Sequence, residues 1–474
     1  MTIDFQRRRI ASGLLAAPVL ATAASCRRRD DAYRIHDVSQ LDSIAVAGVL
    51  RPTSTEAVCA ALKRNQIPVS IGGGRYSMGG QIASAGSLHL DMRAMHRLLH
   101  LDVANRRVLV QAGMRWRDLQ TLIDPHDLSV SIMQSYSNFS IGGSVSVNCH
   151  GRYVGKGPVA NSILALRMVG ANGEALDLSR DAHPELFHAA IGGYGGLGVI
   201  TEVELALDRN GQIAREAEFV DLIDYPAWFR EQIIGRGDAV LHNADLAPPH
   251  YDRPLAITWR RTEQPLTIAE RLVPEKRDYG REQSLIWAAS ELPFGDGVRD
   301  RKLIQQQVRE HPVVWRNREA SLDTDSLEPR TRRWSTYLLQ EYFIPAAQFA
   351  VFARELRSIL IADEVSALNV SIRHSPADAN TLLRWAPRDV FSFVLYYKQR
   401  SSQWADKESA QWTRRLIDAA LANGGRYYLP YRLHATKEQF ARAYPEADAF
   451  ATLKQKVDPR LRFRNQLWER YLPR

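Results

Sequence analysis

Three cysteines among 474 residues leave no basis for covalent staples. Cys26, Cys59 and Cys149 share neither metal-ligand spacing nor a paired framework, which argues against a structural zinc site and against a disulfide scaffold. Internal repeats and low-complexity tracts are absent, as is any apolar run of the roughly 20 residues that a bilayer span requires. No charge of one sign dominates: 62 Lys and Arg face 53 Asp and Glu, and the arginines are scattered among acids instead of forming a stripe. The formal charge of +9 therefore leaves no nucleic-acid footprint, and no nucleic-acid partner is expected.

The two densest basic blocks have another explanation. Arg7 to Arg9 and Arg27 to Arg29 flank a modest apolar stretch, Ile10 to Leu20, so residues 1–30 have the layout of a bacterial export signal. Arg7-Arg8-Arg9-Ile10 resembles a twin-arginine signal, with Gln6 where serine or threonine is more usual. Two processing routes stay open. Cleavage after Ala21-Thr22-Ala23 would free the chain in the periplasm, whereas the loose lipoprotein site Ala23-Ala24-Ser25-Cys26 would make Cys26 a lipid anchor at the membrane. The bland alternative is an uncleaved basic tail on a cytoplasmic protein.

Beyond residue 30, short apolar runs alternate with helical patterns. IPVSIGGG, SLHLDM and RVLVQAG read as strands, while TEAVCAALKRN and RWRDLQTLID read as helices, the first entered through Pro52-Thr53 and capped by a hydroxyl. Cys59 in that first helix reads as a buried structural thiol. Ile163 to Leu178 reads as a hairpin about Asn172-Gly173, and GVITEVELAL as a strand ending at Leu207. Past about residue 210 the texture changes, with a charged helical stretch at 299–319. Strands are expected at STYLLQEYFIP, ALNVSIRH and DVFSFVLYYK, and helices at AAQFAVFARELRSILI and at SAQWTRRLIDAALANGG, stopped by Gly424-Gly425. The final helical pattern is interrupted at Asp458-Pro459. The expected architecture is α+β: an α/β domain over 38–207, then a second domain over 211–474 with an antiparallel sheet flanked by helices, its last residues returning to the first.

Chemistry concentrates in three glycine-rich segments. Gly72-Gly73-Gly74-Arg75-Tyr76-Ser77, followed by Gly79, Gly80 and Gln81, comes directly after a strand, and consecutive unshielded main-chain N–H groups make an anion nest that suits phosphate. A tight turn uses the same residues, so this run alone decides nothing. It lacks the lysine of a P-loop and the third glycine of a dinucleotide fingerprint, although Asp91 stands near where a ribose-binding acid is expected. The second segment carries Gly142, Gly143, Ser144, Asn148, Cys149, His150 and Gly151; the third carries Gly192, Gly193, Gly195, Gly196 and Gly198 before a strand. Three such loops in one domain point to an extended ligand.

In this order and spacing the three segments resemble the FAD-binding (PCMH-type) domain of the vanillyl-alcohol oxidase superfamily. The C-terminal stretch GGRYYLPYRLHATKEQFARAYPEADAFATLKQKVDPRLRFRNQLWERYL is similar to the end of gulonolactone, arabinonolactone and alditol oxidases. The resemblance implies FAD as cofactor. Its pyrophosphate would be held by Gly72, Gly73, Gly74, Arg75, Tyr76 and Ser77 with Gly79 and Gln81. Gly142, Gly143 and Ser144 would face it, with Asn148, His150, Val199 and Ile200 beside the cofactor. Many relatives bond a histidine covalently to the flavin where this chain has Tyr76, so non-covalent FAD is expected. Cys149 does not match the bicovalent pattern, and His150 is equally readable as a structural histidine.

The resemblance also implies oxidation of a hydroxyl on a sugar, polyol or lactone, with reoxidation by oxygen or by a respiratory or quinone acceptor. Here the substrate-facing pattern breaks. In the sugar oxidases a strand carries E-x-R; this chain has Arg373 but Ser371 in place of the glutamate. A family lysine becomes Tyr431, leaving Arg432, His434 and Lys398 as candidate cations. Gln340 or Glu341 can face the substrate, but not both on one regular strand. Two alternatives stand beside this reading: a flavin-binding protein without turnover, and a cytokinin-dehydrogenase-like amine oxidoreductase, which the C-terminal half disfavours.

Overall fold

A computed structural model describes residues 33–275, 277–280, 283, 308–326, 328 and 331–472. The export-signal reading of 1–30, with its anchor at Cys26, lies outside the described residues.

Among the described residues the N-terminal part is built on two main sheets, beside a short ladder of Arg34–Ile35 with Ile44–Ala45. Gly48–Leu50, Leu88–Asp91 and Val69–Gly72 form a parallel three-stranded sheet with Leu88–Asp91 in the middle. The helix Thr55–Arg64 links its first two strands in the chain, and the Ser54 hydroxyl caps it by accepting from the Ala57 N–H at 3.2 Å. Val58 and Leu62, four residues apart on one face, are fully buried, each contributing about 1.5–3 kcal/mol. Cys59 lies off that face and is only partly buried, so it is less enclosed than a core thiol. The second, antiparallel sheet runs in the order Ala175–Ser179, Ile163–Val169, Val199–Arg209, Arg107–Gln111, Leu98–Asp102, with Leu128–Val130 also on Val199–Arg209. The expected hairpin turns at Gly173, whose φ of 79° suits glycine.

From Gln212 onward the chain enters an antiparallel sheet of eight strands. Their order is Val313–Trp315, Gln212–Phe219, Leu255–Arg261, Ala239–Leu246, Ala367–Ser375, Val390–Arg400, Ser335–Pro345 and Arg426–Tyr427. Helices Phe349–Ala362 and Gln403–Ala422 pack on one face. That side is aromatic: Tyr225, Phe349, Phe391 and Phe229 form one ring cluster, and Tyr225 and Phe229 pack on His242, which bonds Tyr225 Oη and Thr258 Oγ1 at 2.9 Å each. The charged stretch 299–319 departs in part from its helical expectation where it is described. Residues 308–309 and Arg316–Ala320 are helical as expected, but Val313–Trp315 between them pairs with Gln212–Ala214 as an edge strand, as two valines and a tryptophan favour.

The C-terminal segment closes over the first part. Phe463 bridges to Val69, Asn465 donates to the Tyr194 carbonyl at 2.8 Å, and Lys454 Nζ, buried, donates to the Gly196 carbonyl at 2.6 Å. Gly424, with φ of 67°, ends the helix before it.

Candidate active site

A cavity of about 800 Å³ separates the three glycine loops from the open face of the large sheet. Such a volume is at the upper end of small-molecule and cofactor sites.

The first loop lines it with Gly73, Gly74, Arg75, Tyr76, Ser77 and Gln81. Arg75 adopts φ of 64°, which turns the chain so that successive N–H groups point one way. Among the described residues the amides of Arg75, Tyr76 and Ser77 have no hydrogen-bond acceptor, and Arg75 Nε is buried without a partner. Unsatisfied donors on a cavity wall require a ligand or water. The second loop contributes Gly142, Gly143, Ser144, Cys149 and His150. It is held against the first through Ser140, whose Oγ accepts from the Gly74 N–H at 3.0 Å; a Cβ at Gly73 would collide with that oxygen. The third loop adds Tyr194, Gly195, Gly198 and Ile200, braced from behind by Trp468, which donates to the Gly193 carbonyl at 3.1 Å.

Sheet register arranges the opposite wall. Asp245 pairs with Ser371, Ser371 with Val394 and Val394 with Glu341, so these four share one cross-strand row, and all four line the cavity. Asn369, Tyr396 and Leu339 form the adjacent row. Arg373, two residues beyond Ser371, faces the same side with its Nε buried and unpartnered. On the strand Ser335–Pro345 the alternation is resolved: Glu341 faces the cavity, whereas Gln340 is buried on the other side, toward Tyr397.

Glu341 is the centre of a buried polar network. Its Oε1 lies 2.6 Å from His150 Nε2, and its Oε2 accepts from Tyr431 Oη at 3.2 Å. Burial alone would raise its carboxyl, but the facing His150, Arg373 and the Tyr431 bond together hold it below the ordinary carboxylate range. Tyr431 moves the opposite way: burial and the Glu341 charge push its phenol well up. Trp385, 4.8 Å from the His150 ring, and Phe343 close the network from water.

Other candidates stand outside the lining. Arg432 is held by Asp42 and by Asp406, the latter at 3.0 Å, and so tethers segments instead of facing the cavity. His434 packs 3.8 Å from the same Asp406. Lys398 pairs in register with Tyr337 on the sheet but is not part of the wall. Gly72 packs on His89, and Gly79 on the Tyr431 carbonyl. Val199 belongs to the small-sheet core, and Asn148 bonds Asp378 at 2.9 Å. Asp91 is engaged by Arg93 at 2.6 Å, with no face on the cavity. Sequence reasoning passed over Ser135, Tyr136, Arg152, Asn243 and Asp245, all on the wall. For the last two the local sign was faint: polar residues two apart in AVLHNADL, where the adjacent His242 blurs the alternation.

Comparison with known proteins supplies the identity of the ligand. Residues 46–179 match the FAD binding domain family, and residues 249–471 match the D-arabinono-1,4-lactone oxidase family. The chain thus carries an FAD binding domain, followed by a stretch similar to D-arabinono-1,4-lactone oxidase. It is 28% identical over 199 residues to L-galactono-1,4-lactone dehydrogenase 2 of Oryza sativa subsp. japonica, covering 41% of this chain and 34% of that one. It is 34% identical over 158 residues to L-gulonolactone oxidase of Bos taurus, covering 33% and 36%. The chain thus spans about a third of these relatives. Against L-gulonolactone oxidase of Mus musculus the match, 22% identical, extends over 89% of this chain and 94% of the relative. The cavity fits FAD: the unsatisfied amides of 75–77 and Arg75 would meet its pyrophosphate, while Tyr194, Gly195 and Ile200 flank the space for its rings.

Proposed function

We propose that this chain oxidises a hydroxyl group of a sugar, polyol or lactone, passing a hydride to non-covalently held FAD. The observation that carries the reading is the buried Glu341–His150–Tyr431 network, placed on a cavity whose other wall is built of phosphate-type loops.

Bound FAD supplies the hydride acceptor. The protein must take the hydroxyl proton and hold the reacting carbon in place. Glu341, kept ionised by its neighbours, is the proton acceptor, either directly or through the Tyr431 hydroxyl, which stays a neutral phenol that donates to Glu341 and accepts from substrate. His150 steadies the carboxylate at 2.6 Å. Arg373, whose charge helps to keep Glu341 ionised, offers an unpartnered N–H to substrate oxygens on the same face. The aromatic wall excludes water and strengthens each of these interactions.

Tyr76, standing at the loop position where the resembling enzymes carry a histidine, supports non-covalent binding, because a phenol raised by burial is a poor nucleophile. The Cys149 thiol, fully buried, is pushed up as well. Acid precipitation should release FAD to the supernatant; colour kept in the pellet would contradict this part. The N-terminal basic and apolar pattern supports export, with either a freed or a lipid-anchored mature chain; the mass of the mature N-terminus distinguishes these from an uncleaved tail. For the reaction itself, the test is anaerobic addition of sugars, polyols and lactones to the purified yellow protein. Bleaching by a member of this set supports the reading, and a flavin indifferent to all of them leaves a binding protein without turnover.

A further inference from the structure

We infer that Asp245, cross-strand from Ser371, supplies a substrate-facing carboxylate, making it a specificity-determining residue that binds hydroxyls of a neutral polyhydroxylated substrate. This rests on the cavity being a substrate site as proposed above.

The argument begins with register. Asp245 lies directly opposite Ser371 on the neighbouring strand, so both side chains leave the sheet on the same face, with Cα atoms roughly 5 Å apart. Serine leaves open the volume that a longer acidic side chain at 371 would fill, and the Asp245 carboxylate stands beside that space. The strand alternates as it must: His242 turns to the aromatic helix side, while Asn243 and Asp245 line the cavity. An aspartate on a half-buried strand face needs a reason, because it gains nothing from packing there.

The pairing of charges around the wall gives that reason. Arg152 is neutralised by Glu319 at 2.8 Å, Arg332 by Glu328 at 3.7 Å and Arg75 by Asp91 at 3.4 Å. Among the described residues Asp245 has one partner, the Asn243 amide at 3.3 Å, and the Arg373 Nε has none. A carboxylate that accepts and a guanidinium that donates thus remain on one face, with Ser371 between them and Tyr136 within electrostatic reach of both. Adjacent hydroxyls, each donor and acceptor at once, satisfy such a pair; a substrate carboxylate would satisfy Arg373 but be repelled by Asp245. Glu341, three strands away in the same row at roughly 14 Å between Cα atoms, takes the reacting hydroxyl, so Asp245 grips the far end of the molecule.

The test uses the flavin-loaded protein under argon, titrated with xylitol, D-sorbitol and L-gulono-1,4-lactone, and with L-gulonate as the anionic counterpart. Perturbation or bleaching of the flavin spectrum reports binding. At least one neutral compound is expected to bind, with L-gulonate markedly weaker. Asp245→Asn, which can still accept from Asn243, should weaken the neutral compound about ten-fold or more at unchanged thermal midpoint. Adding Ser371→Glu to Asp245→Asn should restore part of that loss, which a merely structural role would not show. Unchanged binding in Asp245→Asn, equal binding of L-gulonate, or no response to any neutral compound overturns the inference. The two readings fail separately. Asp245-dependent perturbation without bleaching leaves the subsite standing and removes the oxidation reading; bleaching indifferent to Asp245→Asn does the reverse.

Discussion

At the scale of single residues, the sharpest consequences attach to Glu341. Replacing it by glutamine removes the proton acceptor while keeping the shape, so kcat should fall by about 100-fold or more with FAD content unchanged. A smaller loss, about ten-fold, is expected for Tyr431→Phe, which removes one neutral bond to that carboxylate. Steady-state kinetics on both variants checks the order; a Tyr431→Phe loss exceeding that of Glu341→Gln would assign the base to the phenol. The pH profile has a defined sign. Because its neighbours lower the Glu341 carboxyl below 4.5, the active anion persists as pH falls through the usual carboxylate range, and activity declines only below it. An acid limb near pH 6 in kcat would point to another group. Glu341 itself could be read from sequence only as one of two alternatives, since period-two alternation tells which residues share a face and not which face is wet.

At the scale of elements, the loops depend on close backbone approach. A Cβ at Gly142 would lie 2.7 Å from Ala112 Cβ and 2.9 Å from its carbonyl, neither of which can swing away. Gly142→Ala should therefore shift the second loop and weaken FAD binding by about ten-fold or more, measured by fluorescence of released flavin. The brace behind the third loop is testable too: Trp468, buried and stacked on Phe450 at 4.7 Å, should cost about 3–5 kcal/mol when replaced by alanine, read as a lowered urea midpoint. These elements were legible in the chain because glycine clusters and strand-length apolar runs are local signals, as with Ser335–Pro345 and Val390–Arg400. The strands Gln212–Phe219, Ala239–Leu246 and Leu255–Arg261 were not, because their polar residues interrupt an apolar pattern for reasons that exist only across the sheet. Asp245 acquires its meaning from Ser371, 126 positions later, and no local periodicity carries that pairing.

At the scale of the whole molecule, buried histidines couple stability to acidity. His242, enclosed between Tyr225 and Thr258, is lowered by burial from 6.5 to about 3. The unfolded chain protonates it near pH 6.5 and the folded one does not, so stability present above that pH is lost as the pH falls toward 3. His89, lowered to about 4, adds to the same trend, whereas Asp37, raised by burial, opposes it. Comparing wild type with His242→Gln cancels both. Between pH 6.5 and 5 the wild type should lose stability faster by up to about 1.4 kcal/mol per pH unit, by urea denaturation; parallel slopes would show that His242 is not held neutral.

The wider assembly sets glycine loops on one side and a charged sheet row on the other, and the proposed reading is that it brings a hydroxyl to FAD. The direct measurement is anaerobic mixing of the yellow protein with neutral polyols and lactones, following flavin absorbance and oxidised product together. The account predicts that at least one compound bleaches the flavin, that oxidised product appears in equal amount to flavin reduced, and that Glu341→Gln slows this step without loss of bound FAD. Protein that takes up no FAD, or holds FAD that no such compound reduces, would contradict it.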